Sequence, residues 1–119
     1  MAGILVAEDS ATQSAQISGL LQEAKYEVTV AGNGKEALHR LEGGESFDLV
    51  LTDMVMPEMD GPTMLRELRK RGIKTKVVFV SGYAEDAFEK NLEGQTDFAF
   101  LPKPFTLKQL AEAVKEAIG

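Results

Sequence analysis

The chain has no cysteine and no tryptophan, a single histidine and only four prolines. Without cysteine there is no disulfide framework and no thiolate metal site. The same absence agrees with a cytoplasmic setting, which is the expected location. No run of about 18 apolar residues exists, so no helix is expected to cross a membrane. The start, "MAGILVAEDS", has no basic segment, and its apolar stretch is too short for a signal peptide. Basic residues are outnumbered, 13 against 19 acidic, for a net charge of −6. That balance argues against a nucleic-acid partner, which needs a basic face. There is no low-complexity tract, no linker-like stretch and no fixed-period repeat. What remains is a chain of 119 residues, 44% apolar and 27% charged. It fits one domain, residues 1–119, around one core.

The apolar pattern alternates between two kinds of element. "GILVA" is a short buried-strand run. Ser10 with Gln13 forms a capping pattern, and Ile17, Leu20, Leu21 and Ala24 follow at helical spacing. "YEVTVA" reads as a second strand, and Asn33 with Glu36 as the cap of a second helix carrying Ala37, Leu38 and Leu41 inward. "FDLVLT" is a third strand. Gly61 and Pro62 open a third helix with Met64, Leu65 and Leu68 on one face. "KVVFVS" is a fourth strand, 84–92 a weakly patterned helix, and "FAFL" a fifth strand. Thr106 with Gln109 caps a last helix striped by Leu107, Leu110, Ala111, Val114 and Ile118. Strand then helix, five times, predicts an α/β fold with a doubly wound parallel sheet.

In such sheets the site lies beyond the carboxyl ends of the strands. The first strand ends in Glu8 and Asp9, the third in Asp53, the fourth in Ser81, and Lys103 follows the fifth. Asp53 closes a run built for burial, where a carboxylate is costly unless paired. Carboxylates crowded at one edge either hold protons or recruit a cation. An all-oxygen donor set suits a hard ion such as Mg²⁺. Lys103 offers a point charge for an anion, and Ser81 a hydroxyl. A carboxylate nucleophile, a divalent ion, a lysine and a hydroxyl are the parts of phosphoryl transfer to aspartate.

Four motifs, "ILVAEDS", "LTDMVMPEMDG", "VVFVSGYAED" and "LPKPF", fall in that order along the chain. Together they resemble the receiver domain of two-component response regulators, of the chemotaxis-regulator type. From about Asp48 onward the chain resembles the C-terminal receiver of the alphaproteobacterial cell-cycle hybrid histidine kinase. The first third is more generic, which leaves a chimeric or designed chain open.

The resemblance implies a flavodoxin-like (βα)5 fold with strand order 2-1-3-4-5. It implies that Asp53 is the phosphoacceptor, and that Asp9 and Asp53 bind Mg²⁺, with Mn²⁺ as a substitute. The Val55 backbone carbonyl would be a third ligand, and Glu8 would act through bound water. Ser81 and Lys103 would contact phosphoryl oxygens, and Ser81 and Phe100 would form the switch. Ser81 is more often threonine in the family and Phe100 more often tyrosine. A switch through Phe100 must therefore work by burial and rotamer, without a phenol hydroxyl. Pro102 before Lys103 is also unusual. The peptide bond between Lys103 and Pro104 is expected to be cis, against a base rate of roughly 5–6%. Val55 and Tyr83 would overhang the approach of water and slow dephosphorylation. The implied partners are a histidine kinase or another phosphohistidine donor, and a histidine phosphotransfer protein. A monomer is expected, or a weak dimer on phosphorylation. The chain is expected not to be an enzyme beyond catalysing its own phosphorylation and slow dephosphorylation.

Other readings compete. A hydrolase of the haloacid-dehalogenase type has a second aspartate two residues after the nucleophile, where this chain has Val55. A flavodoxin needs a Ser/Thr/Gly-rich phosphate loop, whereas "AEDSATQ" would repel phosphate unless metal intervened. A pseudo-receiver would lack part of the acceptor, acid, hydroxyl and lysine set. Glu8 and Asp9 taken alone could be a solvated helix start. His39 reads as an exposed surface residue, the Met54, Met56 and Met59 cluster as packing, and "RELRKR" as a solvated helix face.

Overall fold

The computed structural model describes residues 3–53, 58–81, 98–102 and 105–118. Five strands form one sheet: β1 (Gly3–Ala7), β2 (Glu27–Ala31), β3 (Leu49–Asp53), β4 (Lys76–Ser81) and β5 (Phe98–Pro102). All neighbours are parallel, in the order β2-β1-β3-β4-β5. This is the expected flavodoxin-like order, whose switch point lies between β1 and β3. Four helices are described: α1 (Ala11–Glu23), α2 (Gly34–Glu42), α3 (Gly61–Lys70) and α4 (Leu107–Ile118). The helix expected over 84–92 falls outside the described residues.

Strand alternation divides the core into two layers. Ile4, Val6, Leu49, Leu51, Val78 and Val80 pack under α1 and α4, against Ile17, Leu21, Leu110 and Val114. Leu5, Val50, Val77 and Phe79 pack on the other face under α2 and α3, against Ala37, Leu38, Leu41, Met64, Leu65 and Leu68. The central strands are buried on both faces, which is why they read as continuous apolar runs. The α4 stripe centres on Leu110 and Val114, while Ile118 at its end is exposed.

The helix starts follow local chemistry. Ser10 Oγ accepts the Gln13 N–H at 3.3 Å. Thr106 and Gln109 cap α4 reciprocally, at 3.1 and 2.9 Å. At α2 the arrangement differs from a simple capping box. Asn33 Oδ1 accepts the Glu36 N–H at 2.8 Å, but the Glu36 carboxylate reaches one residue further back, to the Gly32 N–H at 2.6 Å. Asp60, absent from the expected caps, opens α3 by accepting the Thr63 N–H at 2.8 Å, with Pro62 in the first turn.

Candidate functional site

Register brings the acids together. Ala7 pairs with Thr52, so Glu8, one step past β1, stands level with Asp53 at the end of β3. Alternation places Glu8 on the face of Ile4 and Val6, and Asp53 on the face of Leu49 and Leu51, which is the same α1/α4 side. One carboxylate oxygen from each of Glu8, Asp9 and Asp53 lies within 4.8 Å of the others. Their surroundings grade from interior to solvent: Glu8 is buried, Asp53 half-buried and Asp9 exposed.

Backbone contacts fix where these acids stand. The Glu8 N–H donates to the Ala31 carbonyl at 3.0 Å, and the Glu8 carboxylate accepts the Asp9 N–H at 3.1 Å. Only glycine fits at the start of α3: a Cβ on Gly61 would lie 2.5 Å from the Asp53 carbonyl oxygen and 2.9 Å from the Phe79 ring. Glu58, close behind the acceptor strand, has a left-handed φ of 67°. Such a φ is uncommon outside glycine and marks a tightly turned return into α3.

The other expected residues divide. Ser81 closes β4 and pairs in register with Pro102 at the end of β5, one step past the Asp53–Val80 pair. Phe100 is half-buried and packs on Phe79 and Phe98, with ring centroids 5.5 and 5.8 Å away. The Ser81 side chain, and Val55, Tyr83, Lys103 and Pro104, lie outside the described residues, as do Met54 and Met56. Met59 packs against the α2/α3 layer, as expected of a packing methionine. His39 is exposed on α2, as expected. The "RELRKR" face is solvated only in part. Leu68 within it is fully buried, and Arg71 pairs with Glu67 at 2.8 Å and with Glu42 of α2.

The donor set tests the expectation of a hard divalent ion. Three carboxylates converge, two of them accessible, with no histidine among them. Oxygen donors of this number and charge fit Mg²⁺, which is usually bound by one or two carboxylates together with water and phosphate.

Residues 4–115 match the response regulator receiver domain. The chain belongs to that family. It is thus a receiver domain of two-component signalling. It is 53% identical over 117 residues to the sensor kinase CckA of Brucella abortus, and this spans 97% of the chain but 12% of the kinase. The match extends well before Asp48, beyond the segment that carries the resemblance to a hybrid-kinase receiver. A solved receiver domain from the hybrid histidine kinase CckA superposes with a TM-score of 0.81, at 36% identity, covering 98% of this chain and 99% of that one. The receiver of the sensor histidine kinase PA1611 from Pseudomonas aeruginosa superposes with a TM-score of 0.89, at 26% identity, covering 99% and 98%. That structure holds a magnesium ion in its active-site cleft. Among the described residues no helix is long and apolar enough to cross a membrane.

Proposed function

We propose that Asp53 accepts a phosphoryl group from a phosphohistidine in a Mg²⁺-dependent reaction. The observation that carries this reading is the convergence of Glu8, Asp9 and Asp53 within 4.8 Å at the carboxyl edge of the sheet. An Asp53 carboxylate oxygen attacks phosphorus, the phosphorus–nitrogen bond to the donor imidazole breaks, and the imidazole leaves with the bond's electron pair. Asp9, Asp53 and the Val55 carbonyl would hold the ion directly, and Glu8 through water; Mn²⁺ would serve in its place. When bound, the ion offsets the negative charge gathered on the carboxylates and on the phosphoryl oxygens. Lys103 and Ser81 contact those oxygens.

The product is a signal. When Ser81 engages the phosphoryl group it biases Phe100 and its neighbours, and a differential of a few kcal/mol suffices to shift a two-state population. The output surface comprises β4, the segment after it, β5 and α4. The whole of 1–119 acts as one receiver unit in the cytoplasm, monomeric or weakly dimeric once phosphorylated. A histidine kinase supplies the phosphoryl group, and a histidine phosphotransfer protein is the onward acceptor. The similarity to the receiver of a sensor kinase supports a relay in particular.

The test is phosphotransfer. A radiolabelled histidine phosphotransfer protein is mixed with the chain, with Mg²⁺ and with a chelator. The reading expects label to pass to the chain only with Mg²⁺ and to return to fresh phosphotransfer protein. Transfer unaffected by chelation contradicts it.

A further inference from the structure

The turn between β2 and α2 touches both halves of the acid cluster's backbone. At its start, the Ala31 carbonyl accepts the Glu8 N–H at 3.0 Å. Three residues later, the Gly34 N–H donates to the Met59 carbonyl at 3.2 Å. From Met59 the chain runs through Asp60 to Gly61, which abuts the Asp53 carbonyl. The turn's own shape is fixed by the Glu36 carboxylate on the Gly32 N–H and by Asn33 on the Glu36 N–H. Gly34 is buried, and a Cβ there would lie 2.4 Å from the Met59 oxygen, 3.1 Å from its carbon and 3.4 Å from the Asp60 oxygen. Backbone cannot yield as a flexible side chain would, so the approach depends on glycine.

We propose that the 31–34 turn is a spacer that sets the separation of the Glu8/Asp9 pair from Asp53, with Gly34 as its positioning residue. The inference rests on the reading of the acid cluster as a cation and phosphoacceptor site. Spacing matters there because Mg²⁺ demands near-ideal octahedral geometry, with ligands at about 2.0–2.1 Å. Gly34 touches neither ion nor phosphoryl group. It acts through Met59, Asp60 and Gly61 on the strand end that carries Asp53. Alanine is the better helix former, so Gly34→Ala favours α2 itself. Any loss in that variant is owed to the contact with Met59.

The experiment measures Mg²⁺ affinity by calorimetry and the initial rate of phosphorylation by acetyl phosphate. It compares wild type, Gly34→Ala, Gly19→Ala and Leu110→Val. Gly19 lies in α1, where an added methyl group would meet nothing within 4 Å, and Leu110 is a buried core residue of α4. Gly34→Ala is expected to lose about tenfold in both quantities, as misplacement of a reacting group does. Gly19→Ala and the destabilised Leu110→Val keep wild-type affinity. A folded Gly34→Ala that matches wild type overturns the proposal. Amide exchange in the wild type gives an answer without any variant. Saturating Mg²⁺ should slow exchange at the Gly34 N–H but not at the Gly43 N–H, which bonds the His39 carbonyl at the far end of α2. An equal response at the two amides, or none at Gly34, overturns the proposal. A wild-type chain that binds no Mg²⁺ removes the underlying reading and this one with it, and so is told apart from failure of the spacer alone.

Discussion

Phe100 of β5 packs on Phe79 of β4 with ring centroids 5.5 Å apart, directly across the parallel pair. Phe98 completes the group at 5.8 Å from each. Phe79 is fully buried, and its ring edge also lies against Gly61, whose backbone supports Asp53. The aromatic layer thus reaches from the sheet edge to the acceptor strand. Phe79→Ala should cost about 3–5 kcal/mol, and Phe100→Ala, at a half-buried position, about 2 kcal/mol. Urea unfolding measures both, and a Phe100 loss equal to that of Phe79 would contradict this ordering. On addition of beryllofluoride, chemical-shift changes should include Phe79, Phe98 and Phe100. Changes confined to α1 and α2 would refute the switch.

Asp9 is the most exposed of the three clustered acids, so it can be altered with little disturbance to packing. Mg²⁺ at a hundred times its dissociation constant should stabilise wild type by about 2.7 kcal/mol. Asp9→Asn should lose most of that increment. In chelator the same variant should be slightly more stable than wild type, by at most about 1 kcal/mol, because one repelling charge is gone. Thermal unfolding with and without Mg²⁺ separates the two effects. Equal metal stabilisation in variant and wild type would exclude Asp9 as a ligand.

The strands are legible in the sequence because a sheet covered on both faces leaves uninterrupted apolar runs such as "ILVA" and "KVVFV", and β1 to β5 fall where those runs do. The site is legible for a related reason. A carboxylate such as Asp53 ending a buried run is costly unless it has a task, and the fold puts such strand ends on one edge. What stays hidden is backbone geometry. Nothing in "AGNGKE" says that Gly34 will abut the Met59 carbonyl, because that contact joins turns far apart in sequence. The Asp60 cap has a readable signal: an aspartate three residues before Thr63, ahead of Gly61 and Pro62, marks a helix start. The "RELRKR" run reads as solvated because charge dominates it, yet helical period turns Leu68 into the core. His39 is polar by type and reads as surface, and α2 does leave it exposed while its neighbour Leu38 turns into the core.

Glu67, Arg71 and Glu42 tie α3 to α2 on the surface. The Arg71 hydrogen bond holds the Glu67 carboxyl below its ordinary value of 4.5, against a smaller opposing effect of desolvation. A carboxyl lowered in the folded state contributes stability above its unfolded value and loses it as pH falls through the lowered folded value. Glu67→Gln should therefore be less stable than wild type at neutral pH, and the difference should close in acid, below the ordinary carboxylate value. Arg71 is raised above its ordinary value, chiefly by the same hydrogen bond. Its contribution is lost only in strong alkali, so it adds no slope in this window. Urea midpoints across the acid range check this; a difference that persists in strong acid contradicts the assignment.

We propose that Val55 and Tyr83 set the lifetime of the phosphorylated state. Val55 can neither orient nor accept from a water, and Tyr83 is bulky enough to shield the phosphoryl group, by family geometry. Val55→Asn combined with Tyr83→Glu should speed dephosphorylation roughly tenfold, about 1.4 kcal/mol of barrier. The decay of the phosphorylated chain at saturating Mg²⁺ is the measurement. An unchanged lifetime would show that these side chains do not set the rate.

The central claim is that Asp53, standing level with Glu8 at the end of β3, is the residue that takes the phosphoryl group. Intact-mass spectrometry after incubation with acetyl phosphate and Mg²⁺ tests it most directly, on wild type and on Asp53→Asn. The account predicts that wild type gains the mass of one phosphoryl group, that the gain vanishes with chelator, and that Asp53→Asn gains nothing. A full gain in Asp53→Asn would contradict it.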